Sequence, residues 1–138
     1  MKNLLLAFCL FAIVPVAQAQ ENTTPKEPTE ASYAKFDHTV HNFGIVEYNG
    51  DGTCEFKFTN TGDKTIVIKN VRTSCGCTTP DYSKDPIPPG ETGVVKAKYD
   101  TKREGQFTKS LTVYFMDDSQ KRLTIKGNVK PKPATPSN

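Results

Sequence analysis

From Phe56 to Val129 short runs in which apolar and polar residues alternate with a period of two recur between turns, which suits strands, and no helical period appears. The longest run places Phe107, Lys109, Leu111, Val113 and Phe115 on one face, with Thr108, Ser110, Thr112, Tyr114 and Met116 on the other. Lys109 fits at the rim of such a face, with its stem packed and its amine in water. Cys54, Phe56 and Phe58 alternate with Glu55, Lys57 and Thr59, and Val95, Ala97 and Tyr99 with Val94, Lys96 and Lys98. Leu123, Ile125, Gly127 and Val129 form a last inward face. Ile66, Val67, Ile68 and Val71 make a more continuous apolar run, as in a strand central to its sheet. Tyr33 to Asp37 and His41 to Val46 are two earlier strands. In the second, Phe43 and Ile45 alternate with Gly44 and Val46, and Gly44 signals a bulge or a close backbone approach.

Turn signals separate these runs. Asn49-Gly50-Asp51-Gly52 has the composition of a hairpin turn. Asn60-Thr61-Gly62-Asp63 is the next, with Gly62 expected at positive φ. Residues 80–90 are expected to be an irregular loop, since Pro86, Pro88 and Pro89 exclude helix and central strand. Pro89-Gly90 predicts a type II turn with Gly90 at positive φ. Glu104-Gly105 and Asp117-Asp118-Ser119 close the last two turns. About seven short strands with turns roughly every 8–12 residues predict an all-β fold, an antiparallel immunoglobulin-like β-sandwich. The chain has no Trp, so the Cys–Trp–Cys signature of antibody domains is missing and the sandwich must rest on its apolar core.

The ends differ from this middle. Residues 1–19 have the order of a secretory signal peptide, with Lys2, the apolar run Leu4 to Val14, and Ala17-Gln18-Ala19 before the cut. The run is shorter than the roughly 20 residues needed to cross a bilayer, so no membrane insertion is expected once the signal is removed. Phe8 is too bulky for the small residue that precedes a lipidated cysteine, which argues against an anchor on Cys9. Residues 20–32, polar with Pro25 and Pro28, are expected to be a flexible linker. That leaves 33–130 for the sandwich domain and 131–138 for a Pro-rich disordered tail. The formal net charge is +3, and about +2 once Lys2 is removed, too small and too scattered for a nucleic-acid footprint.

Chemistry concentrates in Thr73-Ser74-Cys75-Gly76-Cys77-Thr78-Thr79. Cleavage removes Cys9 and leaves Cys54, Cys75 and Cys77, an odd count that implies a free thiol, an intermolecular bridge or a metal ligand. An oxidising compartment permits disulfides. Cys75-Gly76-Cys77 admits three readings: two small packed side chains, a disulfide or redox pair, or a soft-metal site for copper(I) or zinc. Two sulfurs cannot complete tetrahedral zinc, so a metal site would need Cys54, a histidine or a second chain. If the strand starting at Cys54 and the strand ending near Cys75 are antiparallel neighbours, the three sulfurs lie at one end of the sandwich. Cys54 with Cys75 or Cys77 is then the relaxed disulfide pairing, and all three thiolates are the alternative metal set. His41 precedes the presumed hairpin into Cys54 and is expected toward the opposite end. Only His38 and His41 are available as neutral-pH bases, and there is no Gly-x-Ser-x-Gly elbow and no Cys–His constellation that the strand order would bring together, which argues against a hydrolase. No Gly-rich phosphate loop precedes a helix, and no cofactor is expected.

Phe43-Gly44-x-Val46, Phe56-x-Phe58-x-Asn60-x-Gly62, Ser74-Cys75-Gly76-Cys77-Thr78, Pro88-Pro89-Gly90-Glu91 and Gly105-x-Phe107-x-Lys109 occur in this order. Together they resemble the secreted bacterial family called domain of unknown function 1573, over roughly Phe36 to Val129. The resemblance implies an immunoglobulin-like fold and an exported protein, and no established activity, substrate or cofactor. Cys54 lies outside the matching motifs, so nothing about it follows from the resemblance. The Asn60-x-Gly62 and Pro89-Gly90 spacing is also similar to the scaffold sandwiches of the major sperm protein group, a likeness of fold only. Two functions fit. One is an exported, non-catalytic binding or scaffold module of the cell envelope, periplasmic or extracellular, whose partner is another envelope protein or a cell-surface component. The other is an envelope domain that handles thiols or a soft metal through Cys75 and Cys77.

Overall fold

The computed structural model describes residues 29–134; the expected signal peptide, most of the expected linker and the end of the expected tail lie outside the described residues. Those residues form eight strands and no helix: β1 (Ala34–Phe36), β2 (Val40–Val46), β3 (Thr53–Asn60), β4 (Ile68–Thr73), β5 (Thr78–Tyr82), β6 (Thr92–Tyr99), β7 (Gly105–Phe115) and β8 (Gln120–Val129). They make two four-stranded sheets, ordered β1-β3-β6-β5 and β2-β8-β7-β4. The expected all-β, immunoglobulin-like sandwich is what the chain forms, with one more strand than the pattern suggests.

The period-two runs become the two inner faces. Phe56, Phe58, Val95 and Ala97 from one sheet meet Leu111, Val113, Phe115, Leu123, Ile125 and Val129 from the other, all buried. Phe58 and Phe115 meet edge to face with centroids 6.1 Å apart, and Tyr99 stacks on Phe107 at 3.8 Å, so aromatic pairs span the gap at both ends. The β7–β8 hairpin carries the longest ladder, from Tyr114 opposite Gln120 to Gly105 opposite Val129. Asp118, at φ 64°, makes its turn.

Several expectations change. β4, whose continuous apolar run suggests a strand central to its sheet, is an edge strand. Residues 80–90 are not all loop: Thr78–Tyr82 pair with β6. Pro80 is tolerated there because β5 is an edge strand, where a missing N–H breaks no ladder. The sandwich is not purely antiparallel, since β2 runs parallel to β8. Asn49 to Gly52 is therefore a crossing between sheets and not a hairpin turn, with Asn49 at φ 59°. Gly44, at φ 66°, is the expected bulge, and it changes which side chains face the core. Between the pairs Asn42–Lys126 and Ile45–Asn128, Phe43 and Gly44 stand opposite Gly127 alone, which reverses the alternation. Phe43 packs on the core, Ile45 turns out to 72% exposure, and Val46 turns in.

Gly90 has φ 82°, and the Glu91 N–H donates to the Pro88 carbonyl at 3.1 Å, closing the expected type II turn. Gly62 does not have positive φ. Its small size serves a close approach instead, because a Cβ there would sit 3.1 Å from Tyr33 Cβ. The ordered domain also begins before residue 33. Ala31 is fully buried, its N–H donates to the Gln120 carbonyl, and Glu30 pairs with Lys121, so 29–32 belong to the sandwich and not to a linker.

Candidate functional site

The chain leaves the second sheet at Thr73 and enters the first at Thr78, and the cysteine motif is the corner between them. Cys75 and Cys77 are joined by a disulfide across one residue, with Cα atoms 5.3 Å apart. Hydrogen bonds hold the corner on both sides of this bond. The Ser74 N–H donates to the Ser110 carbonyl at 2.9 Å, and the Ser110 N–H donates back to Ser74 Oγ at 3.1 Å. The Asp100 N–H donates to the Cys77 carbonyl at 2.9 Å, and Thr73 Oγ1 donates to the Cys75 carbonyl at 2.7 Å. The Cys77 N–H donates to Cys75 Sγ at 3.3 Å. Closing so short a loop removes little freedom from the unfolded chain, about 1.5 kcal/mol by the loop-entropy relation. Urea denaturation with and without reductant should therefore differ by about that amount; a loss above roughly 4 kcal/mol would show that the bond holds the corner.

Cys54 is buried and free. The expected pairing of Cys54 with Cys75 or Cys77 does not form, and neither does the three-sulfur metal site. Strand order explains both. β4 lies in the opposite sheet from β3, and β6 stands between β3 and β5. Cys54 faces Ala97 on one side of β6, while Cys77 meets Asp100 on the other. Two strand spacings and three residues of rise put the Cα atoms of Cys54 and Cys77 roughly 14 Å apart. Among the described residues no three His, Cys, Asp or Glu side chains are grouped to hold a metal ion. Burial, with the nearby Glu55 charge adding to it, pushes the Cys54 thiol up to about 11, against a hydrogen bond with the Ala97 backbone. Its thiolate fraction at pH 8 is on the order of one in a thousand. Iodoacetamide at that pH should leave Cys54 unmodified in the native protein and modify it once urea unfolds the chain. Rapid native labelling would contradict this burial.

His41 is not at the opposite end from the corner. It pairs with Ile125, which pairs with Lys109 beside Ser110, so it sits at the corner's height on the other edge of the second sheet. Its ring meets Phe43 edge to face at 4.5 Å and lies 6.1 Å from His38. Partial burial, and then the charge of His38, lower its pKa below the ordinary imidazole value. The stability this contributes is whole above that ordinary value and declines as pH falls through it.

Two surface features had no signal in the sequence. One is a groove of about 540 Å³ at the other end of the sandwich, lined by Tyr33, Ile66, Val67, Phe115 and Met116, with Asp117 at its rim. Tyr33 donates to Asp117 Oδ2 at 2.6 Å and contacts the Ser119 hydroxyl. Burial first, and then the bond to Asp117, push the Tyr33 hydroxyl up to about 12. The other is the outer edge of β2, which no strand among the described residues covers, where Val40 is 49% and Ile45 72% exposed. Only the bulge, which turns Ile45 outward, reveals this edge.

Two packed four-stranded sheets with this topology define an immunoglobulin-like β-sandwich. The chain belongs to the family described as Protein of unknown function (DUF1573), whose pattern matches residues 34–129. No curated protein sequence matches it. Among solved structures it is similar to a protein of unknown function from Porphyromonas gingivalis W83, at 14% identity and a TM-score of 0.59, covering 69% of this chain and 46% of that one. It is similar to VesB protease of Vibrio cholerae, at 19% identity and a TM-score of 0.57, covering 72% of this chain and 32% of that one. It is also similar to the seventh PapD-like domain of human CEP192, at 7% identity and a TM-score of 0.58, covering 92% of this chain and all of that domain. The chain thus spans less than half the length of the bacterial neighbours. At these identities the likeness is one of fold.

Proposed function

We propose that the protein is an exported, non-catalytic binding module of the cell envelope that takes an extended segment of another envelope protein onto the free edge of β2. The observation that carries this is the contrast between β2 and the other edges. β1 has only three residues, β5 contains Pro80 and Asp81, and β4 presents Lys69 and Arg72. Shortness, proline, charge and bulges are the usual means of stopping a strand from adding to an edge, and β2 has only the bulge at Gly44. β2 has seven residues, no proline and no Lys, Arg, Asp or Glu, with Val40 and Ile45 exposed along it. An added strand would satisfy its outward backbone groups and cover those two side chains. Both histidines pack against aromatic rings, which supports a binding role over catalysis.

A photo-crosslinking residue at position 45 should give a discrete protein adduct in the living cell, and one at Lys69 on β4 should not. Equal yields at both positions, or none at either, would sink the β2 reading. Export has its own measurement. The envelope fraction should contain a chain beginning at Gln20, and a cytoplasmic protein that keeps Met1 would refute it.

A further inference from the structure

The sulfur chemistry of the corner is not used by this binding role. Its hydrogen bonds run between backbone and hydroxyl groups on either side of the ring, so the Cys75–Cys77 bond can open while the Ser74–Ser110 and Cys77–Asp100 contacts keep the strands in place. The two sulfurs are unequal. Cys75 is half-buried, whereas Cys77 is only 6% exposed. Cys75 Sγ accepts the Cys77 N–H at 3.3 Å, so one donor is already aimed at the sulfur that would carry charge when reduced, while the Thr78 hydroxyl stands between the two sulfurs, 3.9 Å from Cys75 Sγ and 4.0 Å from Cys77 Sγ. At the tip, a Cβ on Gly76 would meet nothing within 4 Å, so another chain can approach the ring closely.

We propose that Cys75–Cys77 is a thiol–disulfide exchange site whose substrate is a reduced cysteine pair on another exported protein. A thiolate of that pair attacks Cys75 Sγ, the accessible sulfur. The new sulfur–sulfur bond forms as the Cys75–Cys77 bond breaks, and the electron pair leaves on Cys77, which takes up a proton. The second thiolate of the pair then attacks the partner's own sulfur in the mixed disulfide. This expels Cys75 as a thiolate held by the Cys77 N–H. The partner leaves oxidised by two electrons, and Cys75 and Cys77 remain reduced. In the reverse direction Cys75 is the nucleophile and buried Cys77 the resolving thiol, so each cysteine keeps one role both ways.

The test uses the mature chain with its disulfide formed. Reduced glutathione is the monothiol probe, and the dithiol probe is a reduced peptide with two cysteines separated by two residues. Samples are quenched in acid, alkylated and mapped by mass spectrometry. The glutathione adduct should sit on Cys75 in about tenfold excess over Cys77. The peptide should leave as its disulfide, one molecule for each protein reduced. With oxidised glutathione, Cys77→Ser should accumulate an adduct on Cys75, and Cys75→Ser should accumulate about a tenth as much on Cys77. An even division between the sulfurs, or a bond that yields only when circular dichroism shows the sandwich unfolding, overturns the proposal. If a serine variant fails to fold, the adduct position in the natural protein decides alone.

Discussion

Replacing Asn60 by alanine should lower the free energy of unfolding by about 3 kcal/mol, read from urea denaturation. Asn60 is fully buried at the end of β3. Its Nδ2 donates to the Lys64 carbonyl at 2.8 Å and to the Ile87 carbonyl at 2.9 Å, and its Oδ1 accepts the Gly62 N–H at 3.0 Å. Its backbone N–H and carbonyl are bonded to Glu91 and Gly90. One amide thus ties β3, the turn that follows and the segment leading into β6. Alanine leaves a small cavity, and it leaves the Gly62 N–H and the Lys64 carbonyl without this partner. The Ile87 carbonyl still accepts the Ile66 N–H, which limits the loss there. Asn60→Asp should also be destabilising at neutral pH, because a carboxylate would face two carbonyl oxygens. Protonating it would restore a donor, so part of that loss should be recovered in acid. A loss below about 1 kcal/mol for alanine would show that water replaces the amide.

Asn60 also marks what kind of information a sequence pattern carries. Asn60-x-Gly62 signals a turn, and a turn is there. The pattern cannot show that the asparagine is buried, or that Ile87, 27 residues away, receives one of its bonds. The faces of β3, β6, β7 and β8 were legible because alternation records burial directly. The face of Ile45 is not legible, because a one-residue bulge reverses alternation without changing composition. β5 was hidden by Pro80, which argues against a strand unless that strand is known to lie at an edge. The cysteines show the largest gap. Alternation and turn spacing fix how high a residue sits along a strand, and Cys54 and Cys77 do lie toward the same end of β6. They do not fix which strand stands beside which, and β6 separates the two. The bond that forms joins the two cysteines nearest in sequence, which requires no long-range order.

Replacing Gly93 by alanine should cost about 3 kcal/mol, the upper part of the usual range for overpacking a core. Gly93 lies in β6 opposite Phe58. A Cβ there would stand 2.3 Å from Phe58 Cζ, 2.7 Å from Phe58 Cε1 and 2.6 Å from Ile87 Cδ1. The ring has nowhere to go. It is fully buried, with Phe36 at 4.8 Å between centroids and Phe115 at 6.1 Å. Ile87 is hemmed in as well, being buried with its backbone held by two bonds with Ile66, although its Cδ1 is the end of a side chain that can turn. The cause can be isolated by shortening the ring. Phe58→Leu alone should lose about 1.5 kcal/mol through lost packing. Combined with Gly93→Ala it should remove most of the clash, because the leucine ends before the Cζ position. The double variant should then be more stable than the sum of the single losses predicts, by at least about 1 kcal/mol, as measured by urea denaturation of all four proteins. Simple additivity would mean that the cost at position 93 comes from Ile87 or from the strand backbone, and that Phe58 does not lie across β6 as described.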